Sequence, residues 1–359
     1  MKIIILKNIL KLGFKRHSMM VIGGGTLMTL SSCLTSKPFN IDVLKPAEYT
    51  VPVDIKNVVV ANNAYRIGDS IEVLVNKQGG QYIKSNPDTV PEVVLKQLTK
   101  SLAERRFFDT VYYYPRPLTR MVVSGGIKPV SNNELQVLRN TCNADAAIVL
   151  QGYKIIPSID YILVSDETKY YHVEQSVDAE FTWLFIDLRT DSVLNVYKQT
   201  DVLDWTAFSE KFKYPVPGLP SFKESIVVTA DLLGFAYADY ISPNWQSTER
   251  YYYSSNAGYY GEADQHVKNN EWDKASKIWF GLYEVAKKST KARLAHNIAL
   301  SYEMMGNFED ASLWAHESWT IYNKLSDWFG YEKDREAKYF ETLVKRSIDA
   351  KKLEGQIGG

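Results

Sequence analysis

The sequence predicts an α/β N-terminal domain of the α+β kind, a mixed sheet covered by helices, followed by an all-α region of helical repeats. Three observations carry that prediction. Apolar runs of strand length alternate with helical spacing up to about residue 245. Small residues then recur at positions 36 residues apart. The chain of 359 residues is long enough to bury two cores of ordinary size.

The chain opens with a basic segment (Lys2, Lys7, Lys11, Lys15, Arg16), an apolar run over residues 19–30, and Leu30-Ser31-Ser32-Cys33. Charge, a short hydrophobic core and small residues, in that order, form a secretory signal. The apolar run is too short to cross a hydrocarbon core of ~30 Å as a helix. Leu30-Ser31-Ser32-Cys33 resembles a bacterial lipobox. The resemblance implies cleavage before Cys33, a diacylglycerol on its sulfur and an acyl chain such as palmitate on its amino group. Two or more acyl chains anchor stably, whereas one holds only marginally. The alternative is a plain exported protein in which a cysteine follows the signal by chance. Residues 34–50 are polar, contain Pro38 and Pro46 and show no sustained period, so residues 33–50 are expected to be a tether with a reach of ~55 Å.

Residues 51–245 form the expected α/β domain. Residues 55–64 hold a short apolar run with polar ends, which suits a buried strand. Residues 87–107 are helical, since Val94, Leu98 and Leu102 recur every four positions beside Leu95, and Pro91 suits a first turn. Residues 111–114 predict a second strand. Ser131-Asn132-Asn133-Glu134 has the form of a capping box and opens a helix to about Asn140. Residues 146–150 predict a third buried strand. Beyond Gly152, residues 161–165, 172–186 and 193–203 are strand-like, with Phe181, Trp183 and Phe185 on one face and a turn at Arg189-Thr190-Asp191-Ser192. Helical spacing returns over residues 221–240, at Ile226, Ala230, Leu233 and Tyr237.

At the level of pattern, this order resembles the α/β domains of envelope lipoproteins of the curli-secretion and penicillin-binding-protein-activator type. The residues carrying the resemblance are Asn57-Val58-Val59-Val60-Ala61, residues 143–150 and Phe185-Ile186-Asp187-Leu188-Arg189-Thr190. The whole chain resembles a Bacteroidota-type outer-membrane lipoprotein family that joins such a domain to helical repeats. That resemblance implies no activity to carry over.

In residues 246–352, Ala263, Asn270, Trp272 and Ala275 align with Ala299, Gly306, Phe308 and Ala311, and His266 aligns with Tyr302. This spacing resembles the tetratricopeptide repeat, in which small residues let two helices approach and a glycine ends the first. Glu262 and Asn270 depart from the pattern in the first copy. An ordinary pair of helical hairpins is the alternative. Ala337, Phe340, Val344 and Ile348 predict a capping helix, and residues 353–359 a tail.

The resemblance to the repeat places Arg293, His296, Asn297, Leu300, Glu303 and Met304 on or near a concave groove. Arg293 and Asn297 fall where families that bind carboxyl termini carry clamp residues. Tyr260 and Asp264 stand where the first copy would need Lys and Asn, so a carboxylate clamp is incomplete, and packing against the other domain is the alternative use of this surface.

Lys and Arg number 42, as do Asp and Glu. Loss of the basic signal leaves a mildly acidic chain without the basic footprint that nucleic acid requires. Cys142, left alone once Cys33 is acylated, has no neighbouring His and is expected to be a buried thiol. His316-Glu317-Ser318-Trp319-Thr320 approaches a zinc motif but lacks its second histidine. No cofactor or metal is expected. Tyrosine is abundant, at 24 residues, with runs at Tyr112-Tyr113-Tyr114 and Tyr251-Tyr252-Tyr253. The expectation is a non-enzymatic lipoprotein of the outer membrane, facing the periplasm, that binds an envelope protein. The side is inferred from Leu34-Thr35-Ser36-Lys37-Pro38, which lacks the acidic cluster associated with surface export in Bacteroidota-type lipoproteins. Glycan or cell-wall binding through surface tyrosines and an envelope hydrolase are the alternatives. Oligomeric state is open.

Overall fold

A computed structural model describes residues 34–66, 71–75, 82–85, 89–118, 130–165, 170–256 and 258–357. The lipobox and Cys33 lie outside the described residues.

Strand β1 (Thr35–Lys45) is followed by the strands and helices of the α/β domain: β2 (Asn57–Arg66), β3 (Ile71–Val75), β4 (Tyr82–Ser85), α1 (Val90–Arg105), β5 (Thr110–Tyr113), α2 (Asn132–Cys142), β6 (Ala146–Ser165), β7 (Tyr170–Asp187), β8 (Ser192–Ser209) and α3 (Phe222–Ile241). β2 pairs in parallel with β5 and β6, and β3 pairs in parallel with β6. β4 pairs antiparallel with β3, β7 with β6, and β8 with β7. The result is a mixed sheet of seven strands among the described residues.

Helices cover both faces, which explains the unbroken apolar run Val58-Val59-Val60-Ala61. Val58, Val60, Ile148 and Leu150 point to α1 and α3, where Val94, Leu98, Leu102, Ile226 and Leu233 meet them. Val59, Ala61, Ala147 and Val149 point to Leu135 and Leu138 of α2. Both capping-box bonds form at Ser131 and Glu134, and Ser221 with Glu224 repeats the device at the start of α3. Trp183 stacks on Tyr237 with ring centres 4.3 Å apart, and its indole donates to Gln199 Oε1 at 2.9 Å. Gly234 permits the close crossing of α3 over α1, since a Cβ there would lie 2.5 Å from the Val94 carbonyl oxygen.

The helical region begins after β9 (Asn244–Ser254) and contains α4 (Gly258–Lys268), α5 (Trp272–Val285), α6 (Lys288–Met304), α7 (Phe308–Asn323), a 3₁₀ turn (Asp327–Phe329) and α8 (Gly330–Ile357). Consecutive helices pack on one another. Ala263, Ala275, Ala299 and Ala311 are fully buried. Asn270 and Gly306, at equivalent points after α4 and α6, both adopt left-handed backbone, with φ of 58° and 78°. That conformation ends a helix, and glycine or asparagine accepts it most readily.

Two expectations are corrected. Residues 33–50 are not a tether along their described length, because β1 pairs with β9 from Thr35↔Ser254 to Lys45↔Asn244. Phe39, Ile41 and Val43 alternate at the strand period, and Pro38 is tolerated on a ribbon edge. Nor is the stretch after residue 352 a free tail. α8 runs on to Ile357, where buried Gln356 accepts from Ala47 N and donates to Ala47 O, both at 3.0 Å.

Candidate functional site

The six residues expected to line the groove all lie on α6, and most of them are inside the protein. His296, Asn297, Leu300 and Glu303 are buried, whereas Arg293 and Met304 are half-buried. The groove is filled by the chain's own β1–β9 ribbon, so the expected open, solvent-facing surface is corrected. Helix spacing explains which residues meet. Arg293, His296, Asn297 and Glu303 turn towards the ribbon, while Leu300 and Met304 pack among Trp272, Trp279 and Tyr302.

Asn297 grips the backbone of Tyr253, and His296 Nε2 lies 2.9 Å from the Tyr251 carbonyl oxygen. His296 Nδ1 lies 2.9 Å from Glu336 Oε2. His296 thus bridges the Tyr251 carbonyl on the ribbon and the Glu336 carboxylate on α8. Glu336 also accepts from the Tyr251 hydroxyl at 2.8 Å. Burial alone would raise the Glu336 carboxyl, but His296 and Tyr251 outweigh it and hold it below the usual range.

Glu303, with a fully hidden side chain, accepts from Arg250 Nη2 at 2.9 Å, from the Tyr339 hydroxyl at 2.7 Å and from Arg346. Burial opposes its charge, and the two arginines prevail, leaving its carboxyl below the ordinary value. On the other face of the ribbon, Asp264 accepts from Lys37 at 2.8 Å and from the Tyr252 hydroxyl at 2.7 Å, and pairs with Lys268. These partners also overcome burial and hold it well down. Burial, then Glu336, pushes the Tyr251 phenol far up, so it stays a neutral donor. The acids of this interior are fixed charges that tie strands to helices.

Sequence reasoning missed Glu336, Arg335 and Arg250. The signal was the Tyr251-Tyr252-Tyr253 run, because adjacent aromatics in a strand can bury both of its faces. Tyr252 and Tyr253 are buried and Tyr251 half-buried, so this run offers no tyrosine surface for sugars. His316 packs against Trp319 and Phe340, and Glu317 accepts from the Tyr283 hydroxyl at 2.8 Å. Cys142 is half-buried beside α2's core contacts, and burial pushes its thiol up. Among the described residues no cluster of three His, Cys, Asp or Glu could hold a metal, and no helix is long and apolar enough to cross a membrane.

The fold defines a two-part class: an α/β sheet domain joined by an internal ribbon to a helical array. The chain belongs to the family described as a domain of unknown function, DUF8603, whose profile matches residues 55–253. A second profile, the domain of unknown function DUF6340, matches residues 261–345. Neither includes β1. No curated relative matches. Among solved structures, the PelC dodecamer of Paraburkholderia phytofirmans is 10% identical with a TM-score of 0.25, covering 57% of this chain and 99% of that one. Protein XCC0632 of Xanthomonas campestris, of family DUF330, is 12% identical at 0.21, covering 53% and 82%. A candidate lipoprotein from Caulobacter crescentus is 12% identical at 0.12, covering 47% and 79%.

Proposed function

We propose that this protein is a non-enzymatic envelope lipoprotein, acylated at Cys33 and held on the periplasmic face of the outer membrane, that serves as a protein-interaction or assembly module. We read α4–α7 as two tetratricopeptide-like repeats whose groove is spent on the chain's own ribbon. Partner binding then falls to the α/β domain. The observation that carries this is β8, which pairs only with β7 among the described strands. Val196, Val202 and Phe208 are exposed along it, at 62%, 51% and 56%. A long edge strand with unpaired backbone groups is a template for another chain.

Photo-crosslinking groups placed at Val196, Val202 and Arg293 in intact envelopes test the reading. Adducts to an envelope protein are expected from the two β8 positions and not from Arg293. Adducts confined to glycan strands would favour cell-wall binding instead. Fatty-acid labelling tests the anchor, and should vanish in Cys33→Ala.

A further inference from the structure

We propose that one end of the helical array, around Leu34, lies against the lipid bilayer, with Trp328, Tyr331, Tyr259 and Val285 seated at its interface. This rests on the reading of Cys33 as acylated.

The anchor has no leash. Cys33 is the residue immediately before Leu34 in the chain, and one peptide unit spans only ~3.8 Å. Leu34 is buried, its carbonyl oxygen accepts from Arg293 Nη1 at 3.2 Å, and β1 begins at the next residue. Acyl chains on Cys33 therefore enter the bilayer beside this point, and whatever surrounds it must face lipid.

What surrounds it follows from the direction of the helices. Along α6, Glu303 meets Arg250, Asn297 meets Tyr253 and Arg293 meets Leu34. Its first turn thus lies at the Leu34 end, together with the close of α5. α7 returns along α6, with Ser318 Oγ donating to Ala292 O at 2.9 Å, so α7 ends there too. α8 starts there, since Glu336 meets His296 and, further along, Tyr339 meets Glu303. α4 also starts there, just after Ser254, the partner of Thr35.

This end carries Trp328, Val285, Tyr331 and Tyr259, exposed at 88%, 77%, 73% and 66%. Tyr331 is linked to the anchor point by packing. Arg335 lies 5.3 Å over its ring and 5.6 Å over that of Tyr253, and Arg293 lies 5.2 Å over Tyr253. Tryptophan and tyrosine settle at headgroup depth, where one end of the ring is apolar and the other wet. Exposed Lys287, Lys288 and Lys324 are balanced by exposed Glu284, Asp327 and Asp334. The seat is therefore aromatic rather than electrostatic. It needs no anionic lipid and should resist salt.

The test uses the acylated full-length protein in phosphatidylcholine vesicles whose lipids are brominated near the headgroup. Trp245 is also exposed, at 65%, but sits at the opposite end of β9 and serves as the control. Trp328→Phe should lose most of the bromine quenching of tryptophan emission, and Trp245→Phe should keep it, in low and high salt alike. Circular dichroism checks that both variants fold. If the wild type does not float with vesicles, the lipoprotein reading fails and the membrane face falls with it. If it floats and Trp328→Phe is quenched like the wild type, only the face assignment is overturned. A Trp328 that crosslinks to a protein partner instead of meeting brominated lipid overturns it as well.

Discussion

Asn297 holds the backbone of Tyr253 at both of its polar groups. Its Oδ1 accepts from Tyr253 N and its Nδ2 donates to Tyr253 O, each at 2.7 Å and each buried. One side-chain amide thus completes the hydrogen bonding that a third strand would supply to β9. Asn297→Ala leaves two buried backbone groups unmet, at about 1–3 kcal/mol each. Asn297→Asp keeps the shape but sets a carboxylate against a carbonyl, and should be no milder. Urea midpoints should fall for both with unchanged slopes.

Stability should fall on acidification. Glu303, Glu336 and Asp264 all have folded carboxyls held below their unfolded values of 4.5, 4.5 and 3.8. A depressed carboxyl contributes stability that is fully present above the unfolded value and lost as pH falls through the folded one. Thermal midpoints should therefore hold near neutrality and drop below about pH 4.5. Glu303→Gln leaves Arg250 and Arg346 without their anion and should cost about 3–5 kcal/mol at pH 7. Its midpoint should then decline less steeply in acid than that of the wild type.

Ala311 sits fully buried against Ala299, Ala315, Tyr339 and Leu343. Ala311→Leu overpacks this crossing of α6, α7 and α8 and should cost about 1–3 kcal/mol. Exposed Glu309, two positions away, has its side chain paired with exposed Lys351 at 3.7 Å. Glu309→Ala should be neutral within about 0.5 kcal/mol. Paired thermal melts compare them.

Gly234→Ala tests the crossing of α1 and α3. The added methyl would meet the Val94 carbonyl oxygen at 2.5 Å, a backbone atom that cannot rotate away. A loss of about 1–3 kcal/mol is expected, although alanine is otherwise the better helix former. A higher midpoint would mean that the helices separate freely.

Local chemistry made much of the fold legible in the sequence. Val94, Leu98 and Leu102 announced α1, the Ser131–Glu134 capping box announced α2, and Gly306 marked the end of α6. The ribbon was not legible, because its halves pair across 219 residues, from Thr35 to Ser254, and its outer positions are polar. The resemblance to the repeat placed Arg293, His296, Asn297 and Glu303 on or near a groove, but a repeat pattern does not report what covers that groove. Arg250, Arg335 and Glu336 look like surface charges until β9 and α8 close over one another.

The ribbon also sets an order of events during synthesis. β1 leaves the ribosome ahead of the α/β domain, and β9 can reach it only after that whole domain has been made. Domains fold as they emerge, from the N-terminal side. β1 must therefore wait unpaired until β9 has been made. Closure of the ribbon then leaves Leu34 buried. Pairing of the early strand and completion of the helical array are thereby joined in a fixed sequence.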